Sequence, residues 1–229
     1  MKILAVDSCS LVATCALAAD GKLTAEYVLN DKKTHSVKLL PQIRQMLDAA
    51  DTDISDIDYF AVTTGPGSFT GQRIGIATIK GLAHAMQKRC VGVSALEALA
   101  YNIAAAAGWF VCPIMDARRG CVYTATFKDG EYVTRDRVIP LSDLIEESEV
   151  RDTVFVGDGV TVFKEEITRR LGERAHFPPF HLEHLRAGSV AAVALKYIEN
   201  GIISDYKSLT PMYLRKSQAE REYHERGLL

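Results

Sequence analysis

The chain lacks an excess of either charge: 27 basic residues face 29 acidic ones over 229 residues, for a net charge of −2. A protein that grips nucleic acid unaided normally carries a basic surplus, because contacts to phosphate dominate that affinity. Its absence argues against unaided nucleic-acid binding and leaves a partner to supply the basic surface. A disulfide framework is missing too. Cys9, Cys15, Cys90, Cys112 and Cys121 are odd in number, widely spaced and without C-x-x-C. They read as reduced thiols in a cytosol, not as a zinc site. No apolar run approaches the ~20 residues of a membrane span. Met1-Lys2 and Ala16-Leu17-Ala18-Ala19 imitate a secretion signal, but Asp7, Ser8 and Ser10 interrupt the ~7–15 apolar residues one would need. Catalytic signatures are scarce as well. No serine has a G-x-S-x-G context and no cysteine has a neighbouring histidine. His181-Leu182-Glu183-His184 is neither H-E-x-x-H nor H-x-x-E-H, and Pro178-Pro179 just before it marks a loop. What remains is the 48% apolar, 24% charged mix of an ordinary globular protein, long enough to bury a core without metal or disulfide.

Along the chain, residues 2–6, 11–19 and 22–29 read as strands, with Asp20-Gly21 a hairpin turn between the last two. Thr34 can cap a helix over 34–50. Residues 59–64 form a buried strand, followed by Gly65-Pro66-Gly67, a helix over 70–87, a short strand at 91–93 and a helix over 95–107. The pattern then restarts, with strands at 110–115, 121–127 and 131–135, a turn at Asp116–Gly120 and a second hairpin at Asp129-Gly130. Asp7 and Asp116 lie 109 positions apart, and so do Asp20 and Asp129. The strand before Gly65-Pro66-Gly67 has a counterpart at 154–156 before Gly157-Asp158-Gly159, at an offset of 92. The second copy is 17 residues shorter there, with a short helix over 141–147 where the first has 34–50. A last helix spans 189–200. The expected fold is therefore α/β and duplicated, two lobes of mixed sheet flanked by helices: residues 1–105, then 106–229, joined near 105–108, with the last helix free to pack back on the first lobe. This is the layout of the actin, Hsp70 and sugar-kinase superfamily.

Three features could carry function. Asp7 with Ser8, and Asp116, end equivalent strands and would face each other across a cleft, where carboxylates suit a hard cation or a water. Aspartates that only cap turns give the same pattern. The stretch Gly65-Pro66-Gly67-Ser68-Phe69-Thr70-Gly71-Gln72-Arg73-Ile74-Gly75 resembles a phosphate loop but meets neither G-x-x-x-x-G-K-[ST] nor G-x-G-x-x-G. It is either an anion seat at a helix N-terminus, capped by Ser68 or Thr70, or a tight turn whose glycines admit another backbone. Finally, the helix over 70–87 confines its charged residues to an arc of about 100°, so its apolar face is about twice that of an ordinary surface helix. It is buried on two sides, inside its own fold or partly by another chain.

Asp7-Ser8 after an apolar strand, the glycine-rich stretch, Asp116-Ala117-Arg118-Arg119-Gly120, Gly157-Asp158-Gly159 and Pro211-Met212-Tyr213-Leu214-Arg215 together resemble the TsaB (YeaZ) family, over essentially the whole chain. Gln72 departs from it, since leucine is usual there. The resemblance implies an actin-like (RNase H-like) duplicated fold and a cytoplasmic role in forming threonylcarbamoyladenosine beside the anticodon of tRNAs that read codons beginning with A. It implies a non-catalytic scaffold for TsaD, which holds the metal and the transferase site, with TsaE as an ATPase. ATP and a metal ion would then belong to the assembled complex, this chain alone binding neither, and tRNA would be met only through the complex. Carried onto this chain, the partner surface falls on helices 34–50 and 70–87, with Leu39, Ile43, Met46, Gly71, Gly75, Ile79, Leu82, Ala83 and Met86 as its expected residues. The same helices would serve a homodimer. Asp7, Ser8, Asp116, Gly157 and Gly159 are the expected cleft or nucleotide residues. The alternative is an actin-like ATPase or kinase acting by itself, and a peptidase is a third reading.

Overall fold

The computed structural model describes residues 1–31, 35–103 and 108–215. Thr34, most of the 105–108 joint and the end of the helix expected over 95–107 fall outside them. The first half contains β1 (Lys2–Asp7), β2 (Ala13–Ala19), β3 (Lys22–Leu29), α1 (His35–Ala49), β4 (Tyr59–Gly65), α2 (Phe69–Met86), β5 (Arg89–Ser94) and α3 (Ala95–Tyr101). The second contains β6 (Phe110–Asp116), β7 (Cys121–Lys128), β8 (Glu131–Pro140), α4 (Leu141–Ser148), β9 (Thr153–Val156), α5 (Gly159–Leu171), β10 (Ala175–His176), α6 (Phe180–Glu183) and α7 (Ala187–Glu199).

The strands make two five-stranded sheets, ordered β3-β2-β1-β4-β5 and β10-β9-β6-β7-β8. These are the same order, because β6 to β10 take the places of β1 to β5. In each, the first three strands pair antiparallel and the last two join in parallel. The hairpin turns repeat as well: Asp20 and Gly21 have φ of 51° and 74°, Asp129 and Gly130 52° and 80°. Two successive left-handed residues match the twist of the flanking strands, and Asp-Gly adopts that geometry readily.

The alternation of side chains along the strands sorts the core into three layers. Leu4, Val6, Phe60 and Val62 face α1 and α2 on one side of the first sheet. Ile3, Ala5, Ala61, Val91 and Val93 face the opposite way, into a middle layer that also takes Val111, Met115, Tyr123 and Phe127 from the second sheet. Two apolar helices, α3 and α7, fill this layer. Cys112, Ile114 and Phe155 face α4 and α5. Helix α7 belongs to the second half by sequence but packs on β1 and β2 of the first. Glu26 of β3 fastens it, accepting from the Gly188 N–H at 2.8 Å and from Arg186 Nε at 3.0 Å.

The structure departs from the sequence reading in places. Strand β8 runs to Pro140, not 135, because its far end pairs with Cys121 and Val122. Helix α5, which lies on the second sheet, was given no range in the sequence: Val160, Val162 and Phe163 at its start are strand formers that the sheet's apolar face overrides. Residues 180–183 form a short helix rather than a loop.

Candidate functional site

Strand β1 ends at Asp7, which is fully buried. Its carboxylate accepts from the Cys9 N–H at 2.9 Å, from the Ser10 hydroxyl at 3.0 Å and from the Thr63 hydroxyl of β4. Burial pushes the Asp7 carboxyl up, against the pull of those hydrogen bonds. Burial, with the charge of Asp7, pushes the Cys9 thiol far up. Of the two readings of Asp7, this geometry supplies the turn-forming one: its oxygens are engaged by its own turn and by the adjacent strand.

The glycine-rich stretch closes onto that turn. Ser68 caps α2, accepting from the Gly71 N–H at 3.2 Å, while the Ser68 N–H donates to the Cys9 carbonyl at 2.8 Å and the Ser8 hydroxyl donates to the Gly71 carbonyl at 2.8 Å. A methyl group on Gly71 would stand 1.9 Å from the Ser8 carbonyl oxygen, and one on Gly67 2.4 Å from that of Cys9. The glycines are there so that two backbones can touch, and the volume a phosphate would need between the β1 turn and the start of α2 is filled by main chain. The residues of this chain do not fit a nucleotide grip at that place. Gln72, where leucine was expected, is buried with its Nε2 on the Gly67 carbonyl at 3.3 Å and its Oε1 unpartnered.

The second lobe repeats the motif with different occupants. Gly157 (φ +115°) and Gly159 approach the Ile114 carbonyl of β6, and added methyls would stand 2.4 and 2.9 Å from it. Like Gly71, they serve close backbone packing. Asp116 accepts from the Arg118 N–H at 2.7 Å and pairs with its guanidinium at 3.1 Å. Arg118 and Arg119 both have left-handed backbones (φ 66° and 57°), a conformation that disfavours long side chains by about 1 kcal/mol or more each. Between the two glycines lies Asp158, part of the Gly157-Asp158-Gly159 motif but not among the expected cleft residues. Its carboxyl is pushed up to about 6, first by burial and then by the charges of Asp116 and Asp7. Its Oδ1 has no hydrogen-bond partner. Its place at the end of β9, equivalent to the end of β4, was the available signal. Among the described residues no three of His, Cys, Asp and Glu are grouped to hold a metal ion.

The raised pKa of Asp158 gives a testable sign. A carboxyl higher in the folded than in the unfolded chain favours folding fully below about pH 4, and that contribution is lost as pH rises through about 6. Relative to the natural chain, Asp158→Asn is therefore expected to gain up to about 3 kcal/mol of stability between pH 4 and pH 7. Urea unfolding of both proteins across that range checks it. A constant difference would refute the assignment.

A strap links the two halves of the chain. Residues 211–215 run past the end of β4, where the Met212 N–H donates to the Thr64 carbonyl at 2.8 Å. Tyr213 stacks on Phe69 at 4.6 Å and 10°, and its hydroxyl accepts from Arg73 Nε at 2.9 Å. Arg215 then donates to the carbonyls of Ala117 and Arg118 in the β6–β7 turn. The strap thus touches the glycine-rich helix of one lobe and the Asp116 turn of the other.

The expected partner residues divide. Leu39, Ile43, Met46, Gly71, Gly75, Ile79 and Ala83 are buried in the chain's own core. They are corrected here from surface to core: the first sheet takes the apolar arcs of both helices, and Gly71 and Gly75 approach Ser8. Leu82 and Met86 are half-buried at the edge of that core. The helices do carry other exposed apolar groups, Val37 (68% exposed) and Leu40 (53%). An open groove of about 750 Å³ runs between Leu40, Arg44, Asp48, Ile54 and Leu82.

A family model described as TsaD, tRNA N6-adenosine threonylcarbamoyltransferase, matches residues 22–223. The tRNA threonylcarbamoyladenosine biosynthesis protein TsaB of Bacillus subtilis is 33% identical over 231 residues, which cover 98% of this chain and 99% of that protein. YeaZ from Pseudomonas aeruginosa is similar in structure, with a TM-score of 0.75 and 28% identity over 93% of this chain and 99% of its own. The ROK hexokinase of Thermus thermophilus matches at a TM-score of 0.52 and 12% identity over 88% of this chain and 100% of its own, a likeness of the actin-like fold alone.

Proposed function

Because the chain belongs to the TsaB family of tRNA threonylcarbamoyladenosine biosynthesis proteins, we propose that it serves that pathway in the cytoplasm as a non-catalytic partner of TsaD. The observation that carries this reading is the filled seat at the start of α2, where the Ser8 and Cys9 carbonyls stand within 1.9 and 2.4 Å of where side chains on Gly71 and Gly67 would begin. The Asp7 carboxylate, engaged by three hydrogen bonds from its own neighbourhood, supports it further. ATP and a metal ion act in the assembled complex, held by TsaD and TsaE. The docking surface is the outer face of α1 and α2 around Leu40 and Leu82, and the same face serves a homodimer when TsaD is absent.

The test separates docking from folding. Leu40→Asp is expected to weaken the complex with TsaD by about tenfold or more, as loss of a central apolar contact does. Its urea midpoint should stay unchanged, because the side chain is half in solvent. Isothermal titration with purified TsaD reads the first effect and circular dichroism the second. Undiminished binding by the folded variant would remove this surface. A separate ATPase or kinase is favoured by one feature, the unpartnered Asp158 oxygen near Asp116 and Asp7. Micromolar Mg-ATP binding by the lone chain, lost in Asp158→Asn, would establish that reading instead.

A further inference from the structure

We infer that the rim formed by the strap and the β6–β7 turn is an RNA contact, taking phosphates on its arginines and an unpaired base on Tyr213. This rests on the reading above that the chain works in tRNA modification. The first observation is the turn itself. Arg118 and Arg119 are exposed at left-handed positions that glycine, asparagine or aspartate fill without such strain. The equivalent turn in the first lobe, Ser8–Ser10, has no left-handed residue. The backbone does not ask for arginine at 118 and 119, so the turn geometry leaves these two side chains unexplained. Asp116 meets one edge of the Arg118 guanidinium at 3.1 Å, and the side chain is still 82% exposed.

The second observation is an aromatic face on the same rim. Tyr213 is 43% exposed; its ring stacks on Phe69, and Arg73 both donates to its hydroxyl and holds its guanidinium over the ring, 5.8 Å from the centroid. Two residues on, Arg215 ties the strap to the carbonyls of Ala117 and Arg118. Fixed guanidinium groups beside an exposed, pre-positioned ring suit a nucleic-acid backbone with a splayed base, since stacking on aromatic rings and phosphate contacts from arginine are the two parts of single-strand recognition. An acidic protein would use the arginines and leave the ring idle. With a net charge of −2 the chain has no basic surplus to hold RNA unaided, so the rim is expected to act within the complex.

The experiment measures binding of an unmodified tRNA transcript by the complex of the full chain with TsaD, by fluorescence anisotropy over a range of salt. The double variant Arg118→Ala/Arg119→Ala is expected to bind about tenfold more weakly near 0.1 M salt, with a log–log salt slope shallower by about 0.7 per arginine. Tyr213→Ala should weaken binding about tenfold with the slope unchanged, and Tyr213→Phe should restore it. Size-exclusion chromatography shows whether each variant still assembles with TsaD. Assembled variants with natural affinity and slope would overturn the proposal and leave the parent reading standing. Failure of the unaltered complex to bind tRNA would overturn both.

Discussion

Alanine at position 71 is expected to prevent the first lobe from assembling. The added methyl would stand 1.9 Å from the Ser8 carbonyl oxygen, a main-chain atom with no rotamer to escape into. Relief requires the start of α2 to move more than an ångström from the β1 turn. That breaks the Ser8–Gly71 and Ser68–Cys9 hydrogen bonds together and uncovers the buried Asp7 behind them. Overpacking of this kind, added to lost buried hydrogen bonds, costs about 4 kcal/mol or more. The whole stability of a domain is about 5–15 kcal/mol. Loss of soluble protein, or a urea midpoint moved far down, would be the sign. The same helix supplies a control. Nothing lies within 4 Å of where a methyl on Gly81 would sit, so Gly81→Ala is expected to stabilise by about 0.5–1 kcal/mol. If both variants matched the natural chain, the close approach at Gly71 would be wrong.

Removing the Asp7 side chain is expected to cost about 3 kcal/mol, and replacing it by asparagine far less. Asp7→Ala leaves the Cys9 N–H and the Thr63 and Ser10 hydroxyls without their acceptor in a site closed to water. Asparagine keeps an oxygen for Cys9 and Thr63, and the Ser10 hydroxyl can turn to the Val12 carbonyl, 3.3 Å away. The pH dependence has a definite sign. Burial raises the Asp7 carboxyl above its usual value, so the acid favours folding at low pH and loses that advantage as pH rises through the raised value. Asp7→Asn should therefore gain on the natural chain as pH rises from about 4 towards neutrality. Its effect on tRNA modification with TsaD and TsaE is the sharper readout. A folded Asp7→Asn protein should support modification at the natural rate, and abolished modification would return Asp7 to the chemistry and sink the scaffold reading.

Much of the architecture was legible because hairpins and strand ends are local. Asp20-Gly21 and Asp129-Gly130 each carry the turn chemistry that fixes a hairpin, and their common offset revealed the repeated topology that both sheets show. The helix over 70–87 was placed within a residue of α2 because its cap and glycines are adjacent in sequence. What periodicity could not supply was direction. An apolar arc is the same whether it faces a sheet or a partner, and it was the family resemblance that placed Ile79 and Ile43 on a partner surface, although Phe60 and Val62 lie beneath them. Helix α5 was given no range from the sequence: it opens on Val160, Val162 and Phe163, residues of high strand propensity, and the second sheet decides for helix there. Asp158 was missed for a further reason: its environment is made by Asp116 and Asp7, distant in sequence, which no local window contains.

The position of α7 has a consequence for how the polypeptide is born. Ile3, Ala5, Ala61, Val91 and Val93 all leave the ribosome well before the helix that covers them, Ala187–Glu199. The nascent chain must hold a sticky half-finished sheet while the whole second sheet is being made, and only when the closing helix emerges does the early half gain its second wall.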